Sequence, residues 1–245
     1  MKKPIIGVPL RYSHMADGRP ILILGERVRR TLQHAGAEVF TLTPVHDVDY
    51  PDTKGNEFPE LTDMDKAIIH KNLDRCDGLF FPGGNKFTPY DRYLLEYAIE
   101  KRIPTLAVCL SMQMMGCYSE DVKLEANDTG FNHNQEDDDN SLSHKVKIDK
   151  DSKLYDILGE EEISVNSFHN YHVTNNHIYK TVAVSEDGII EALEYPASFF
   201  NIGVQWHPEI SYDFDEASKK LIDAFISEAE ARTSHEPDRE EGYVF

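Results

Sequence analysis

Cysteine is scarce in this chain: Cys76, Cys109 and Cys117 are the only three among 245 residues. Three thiols cannot all pair internally, and none stands in a CxxC spacing, so neither a disulfide framework nor a zinc or dithiol motif is indicated. A reducing cytoplasm is the expected setting. Long hydrophobic runs are absent too, which excludes a membrane span. The opening Met1-Lys2-Lys3-Pro4 leads straight into Ile5-Ile6-Gly7-Val8, too short and broken an apolar stretch for a signal peptide. Basic residues are outnumbered, 25 Lys and Arg against 44 Asp and Glu, for a formal net charge of -19. Such a surface repels phosphate backbones and argues against nucleic acid as a partner. A small molecule remains, and no internal repeat is present.

A hydrophobic fraction of 40% with 28% charged residues is ordinary for a globular protein, and the length suits one sizeable core. We read residues 1–232 as a single domain and 233–245 as a loosely held acidic tail. Short apolar runs alternate with amphipathic stretches. IIGVPL (5–10) precedes a helical pattern near 21–35, and EVFTLTP (38–44) one near 63–74. GLFFPGG (78–84) precedes a pattern near 91–101, and TLAVC (105–109) a helix starting at Leu110. This rhythm predicts an α/β domain with a mostly parallel sheet. GLFF and TLAV are apolar without alternation, as strands covered on both faces are. Ligands of such sheets bind beyond the strand carboxyl ends, where Pro82-Gly83-Gly84 and Cys109 both fall.

The second half reads differently. Residues 125–145 are polar and aperiodic, and predict a mobile loop. Their acidic run 136–139 lacks the ligand spacing and turn glycine of a calcium loop and reads as a solvated face. Strands follow at 145–149, 162–169, 180–187, 188–196 and 200–208, an antiparallel extension that returns its last strand to the parallel part. A final helix is predicted over 215–231.

Cys109 ends an apolar strand and opens a helix. There a thiolate is stabilised by unpaired N–H groups and the helix dipole, and the N–H of Leu110 can donate to a developing oxyanion. Taken alone, a cysteine ending a strand is more often a packing residue. A base is available in GVQWHPE (203–209). Pro208 biases His207 toward an extended conformation, which brings the Glu209 carboxylate to the same side as the ring and suits orientation of a general base. In FPGGNKFTP (81–89), paired glycines let backbone N–H groups face a neighbouring site. His169, His172 and His177 form no clear metal-ligand set.

These three elements, with DGIIEALEYP before the last strand, resemble the class I glutamine amidotransferase-like superfamily, and within it the γ-glutamyl-γ-aminobutyrate hydrolase family of cysteine peptidases. The resemblance implies a flavodoxin-like three-layer sandwich with a nucleophile elbow at a strand carboxyl end. It implies that Cys109 attacks a γ-glutamyl amide, His207 serves as base and later acid, and Glu209 orients His207. The oxyanion hole would use the backbone of Leu110 and of Gly84 or Asn85. Gln113, Asn166, Ser167, Phe168 and His169 match segments lining the glutamyl pocket, and no metal or organic cofactor is implied. The family usually has glycine two residues either side of the nucleophile, where this chain has Ala107 and Ser111. Two further readings stand beside the hydrolase: a glutaminase subunit feeding ammonia to a separate synthase, and a non-catalytic binding protein. The resemblance also allows a homodimer.

Overall fold

A computed structural model describes residues 3–45, 60–117, 124–135, 140–174 and 178–235; the acidic run 136–139, His177 and residues 236–245 of the expected tail lie outside these. The parallel half begins with β1 (Ile5–Pro9), a hairpin of β2 (Arg11–His14) and β3 (Pro20–Ile23), α1 (Glu26–His34) and β4 (Glu38–Leu42). It continues with α2 (Asp63–Leu73), β5 (Gly78–Phe81), α3 (Pro89–Glu100), β6 (Thr105–Val108) and α4 (Leu110–Gly116). The remainder comprises β7 (Leu124–Ala126), β8 (His144–Ile148), α5 (Lys153–Leu158), β9 (Glu162–Val165), β10 (Tyr171–Val173) and β11 (Lys180–Ser185). β12 (Ile190–Glu194), β13 (Asn201–Val204), α6 (Pro208–Ser211) and α7 (Glu216–His235) complete it.

The main sheet runs β4-β1-β5-β6-β13-β12-β11-β8-β9. Its first five strands are parallel, and from β12 onward the pairing is antiparallel. Successive residues of a strand point to opposite faces, so Phe80 packs on one side of the sheet with α1, α5 and α7, through Leu32, Leu154 and Phe225. Leu79 and Phe81 pack on the other side with α2, α3 and α4, through Leu73, Leu94 and Met112. The outcome is the expected three-layer α/β sandwich with its antiparallel extension. Among the described residues, no helix is long and apolar enough to cross a membrane.

Several boundaries differ from the sequence reading. Residues 21–23 belong to β3 rather than to a helix. Ile21 and Ile23 are β-branched, and Gly18, at φ 83°, turns the chain so that the stretch pairs with β2. Residues 125–145 are not one unstructured loop: β7 pairs with β10, Asn134 bridges Phe168, and β8 begins at His144. The polar side chains that hide this segment's periodicity make its contacts, because Gln135 accepts from the N–H of Ser167 and Asn127 donates to the carbonyl of His169. The final helix extends to His235, past the expected start of the tail.

Candidate active site

β6 delivers Cys109 to the carboxyl edge of the sheet, and α4 starts at the next residue. At φ 52° and ψ -111° Cys109 is a left-handed non-glycine residue, a conformation that costs about 1–3 kcal/mol and persists only when surroundings enforce it. They do so here: the Cys109 N–H donates to the Val204 carbonyl at 2.8 Å, and its carbonyl accepts from Gln113 at 3.0 Å. The close approach of α4 to the sheet is supplied by Gly203 on the adjacent β13, where a Cβ would lie 2.6 Å from Met115 Sδ. The elbow therefore forms without the usual flanking glycines. Ala107 is buried in β6, and the buried Ser111 hydroxyl donates to the Pro82 carbonyl at 2.8 Å.

β13 carries the chain to His207 in the same edge. Glu209 sits on the first turn of α6 rather than on an extended strand, because Pro208 occupies the helix start where its missing N–H is harmless. The carboxylate still reaches the ring, with Nδ1 of His207 2.8 Å from Oε1 of Glu209. That carboxylate requires a proton on Nδ1, which leaves Nε2 free to accept one. Burial works against the charged imidazole, but the charges of Glu209 and Cys109 outweigh it and raise the His207 pKa well above its ordinary value. Thr31 donates to the Glu209 carbonyl at 3.0 Å and tethers α6 to α1.

The glycine pair lies against both groups. A Cβ on Gly83 would fall 2.7 Å from Cε1 of His207 and 3.4 Å from Cβ of Cys109, and one on Gly84 would fall 3.3 Å from Cδ2 of Leu110. Gly84 and Asn85 are exposed, beside the first turn of α4. The sequence reading missed what holds this loop. Arg11 is buried, and its guanidinium donates to the carbonyls of Pro82 and Gly83, to Ser111 Oγ at 2.6 Å and to Asp91 Oδ1 at 2.7 Å. Asp91 in turn closes the capping box of α3 with Thr88. One side chain thus ties the glycine loop, the elbow helix and α3 together. The available signal was an arginine directly beyond the carboxyl end of a central strand.

The stretch 166–169 divides between two sites, as extended backbone makes alternate residues do. Asn166 bonds the backbone of His207 twice, donating to its carbonyl and accepting from its N–H, each at 2.8 Å. Phe168 sets its ring edge-on to His207 at 5.7 Å. Ser167 and His169 turn the other way: Ser167 donates to the His133 carbonyl, and the His169 ring packs 4.9 Å from that of His133. Gln113 is buried, its amide donating to the Tyr171 carbonyl at 2.7 Å and to Gln205 at 3.1 Å. It braces the elbow helix against β10.

Of the other thiols, Cys76 packs against Gly7, and burial pushes Cys117 up to about 11. A cavity of about 680 Å³ lined by Lys150, Ser152, Glu194 and Asn201 includes none of Cys109, His207, Glu209 and the glycine loop. Among the described residues, His133, His144 and Glu191 are grouped closely enough to hold a metal ion.

Residues 89–209 match the peptidase C26 family. A Schizosaccharomyces pombe protein provisionally named a glutamine amidotransferase is 33% identical over 138 residues, 55% of this chain and 54% of its own length. The chain thus spans about half of that relative. The γ-glutamyl-γ-aminobutyrate hydrolase of Escherichia coli K12 is 24% identical over 93% of this chain and 94% of its own. A Thermoplasma acidophilum structure provisionally named as a component of GMP synthase superposes with a TM-score of 0.65 at 16% identity, covering 97% of this chain and all of that one. This last likeness shows the fold. The chain is similar to class I glutamine amidotransferase-like proteins and, among them, to the γ-glutamyl-γ-aminobutyrate hydrolase and peptidase C26 family.

Proposed function

We propose that the chain is a cysteine hydrolase cleaving the γ-glutamyl amide bond of a small γ-glutamyl compound to give glutamate and an amine. The observation that carries this reading is the 2.8 Å contact of Glu209 with His207, on a ring coupled to Cys109 at a left-handed elbow. The family likeness supports a hydrolase.

In this mechanism His207 takes the Cys109 proton and the thiolate attacks the amide carbon. The oxyanion formed accepts from the N–H of Leu110 and from that of Gly84 or Asn85. Collapse breaks the C–N bond, and the imidazolium gives its proton to the departing amine. His207 then takes a proton from water, the hydroxide adds to the carbonyl carbon of the glutamyl-thioester, and the C–S bond breaks as the imidazolium returns the proton to sulfur. Glu209 fixes the tautomer throughout, while Asn166 holds the His207 backbone and Phe168 forms a wall beside the ring. Cys76, Cys109 and Cys117 form no disulfide, which fits a cytoplasmic protein.

The test is glutamate release from glutamine and from γ-glutamyl amines, amino acids and peptides, with Cys109→Ala in parallel. Release from one class, abolished by the substitution, is expected; release from none sinks the reading. The names carried by the fission-yeast relative and the archaeal structure favour one second reading, a glutaminase that serves a synthase partner. Glutamine hydrolysis that appears only when a partner chain is added would select it.

A further inference from the structure

A cluster of buried ionisable side chains lies behind the 166–169 wall and is unused by the chemistry above. The rings of His133, His144 and His169 surround Glu191 of β12, and all four residues are buried. His133 Nδ1, His144 Nε2 and His169 Nε2 stand 3.5, 3.1 and 3.7 Å from the same carboxylate oxygen, Oε1 of Glu191. Ligand atoms at the corners of a tetrahedral zinc site with bonds near 2 Å are about 3.3 Å apart. The three spacings to that oxygen bracket this edge, and the ligand atoms of His133, His144 and Glu191 all lie within 4.8 Å of one another, with His169 alongside.

Two tautomers are set from outside the cluster. Nε2 of His133 lies 3.0 Å from Oδ2 of Asp187, which can only accept from it, so the lone pair is on Nδ1. Nδ1 of His169 lies 3.0 Å from the Tyr171 carbonyl, another pure acceptor, so that lone pair is on Nε2. The Asn127 amide, 3.2 Å from the same Nδ1, has the His169 carbonyl at 2.8 Å. Two imidazole lone pairs therefore converge on a carboxylate in a buried site, which is repulsive unless positive charge sits between them. Consistent with this, His133 Nδ1, His169 Nε2 and Glu191 Oε2 have no hydrogen-bond partner among the described residues.

We propose that His133, His144, His169 and Glu191 form a structural site for a divalent metal of the zinc class. Three imidazoles and a carboxylate, with no sulfur, are the donor set of borderline metals. Asp187 is a positioning residue that orients His133, as carboxylates do behind metal-bound histidines. The metal would join β8, β12 and the segments at 127–135 and 166–173, and so hold in place the wall that carries Asn166 and Phe168.

The test uses the full-length protein, stripped with a chelator and titrated with Zn²⁺ alone, with binding read by calorimetry and by metal analysis. Cys109→Ala is titrated beside it, because Cys109 with His207 is the competing place for zinc. One equivalent bound at micromolar or better affinity by both proteins is expected, with a higher Tm on binding. Glu191→Gln should lose the site, and Asp187→Asn should weaken it about 10–100-fold. X-ray absorption of the zinc-loaded parent should show nitrogen and oxygen neighbours only, a reading that does not depend on any variant folding. Failure of the parent to bind, loss of binding in Cys109→Ala, sulfur beside the metal, or full binding by Glu191→Gln would each overturn the proposal.

Discussion

The parallel and antiparallel halves of the main sheet concentrate ionisable groups by opposite means. In the parallel half, Cys109, His207 and the glycine loop are strand-end residues, each announced by a short local motif that ends on the chemistry. In the antiparallel half, His133, His144, His169 and Glu191 come from four separate stretches, and none has a neighbour in sequence that marks it. Histidine appears in both places, yet only His207 stands next to a proline, a glutamate and a strand. Chemistry that sits on one turn can be read from a chain, whereas chemistry assembled by strand pairing needs the pairing first.

The contrast is sharpest in turnover. Cys109→Ala is expected to remove about six orders of magnitude of kcat while leaving the thermal midpoint near that of the parent, since the site is strained rather than stabilising. A stopped glutamate assay with a melting curve on the same sample reads both. Retained turnover would remove the parallel half's claim to the chemistry.

Stability should respond most at the arginine bracket. The Arg11 and Asp91 side chains are 9% and 5% exposed, so Arg11→Ala strands a buried carboxylate and is expected to cost about 3–5 kcal/mol in urea unfolding. A loss under 1 kcal/mol, the size of a surface ion pair, would show that the bracket is not what holds the elbow.

Gly83→Ala is a smaller and more local perturbation. Its Cβ meets the His207 ring at 2.7 Å, and a displacement of about 1 Å in a catalytic group costs on the order of 100-fold in rate. An unchanged kcat would mean that the ring yields without consequence.

The smallest effect is in pH. Burial lowers the His207 pKa, but Glu209 and Cys109 raise it further, so the net shift is upward. A raised value means that protonated His207 contributes stability below its unfolded pKa, about 6.5, and that the contribution is lost as pH rises through the folded value. The gap in Tm between the parent and His207→Gln should therefore be widest near pH 6 or below and close toward alkaline pH. A gap that widens with pH would reverse the assignment.

Much of the fold was legible because the central parallel strands GLFF and TLAV are uninterrupted apolar runs that stop at Pro82 and Cys109. The elbow, the HPE turn and the last strand's return beside β6 could all be anticipated from them. The β2–β3 hairpin was not, because Ile21-Leu22-Ile23 carries as much helical as strand character until Gly18 is seen to turn. The 125–145 region was misread since its contacts are made by Asn, Gln and His side chains, which leave no hydrophobic period. Arg11 was overlooked for a related reason: its partners are backbone carbonyls and residues far along the chain. The roles of Asn166 and Phe168 were confounded with those of Ser167 and His169, because only the backbone's alternation separates them.

That alternation bears on how the segment tolerates change. Across 166–169 the even positions face His207 and the odd ones face the buried histidine cluster, so a deep mutational scan should return a two-residue rhythm here. Variants at 168 should alter which molecules are processed, variants at 167 and 169 should lower the amount of folded protein, and inserting a single residue should exchange the two sets and lose both at once.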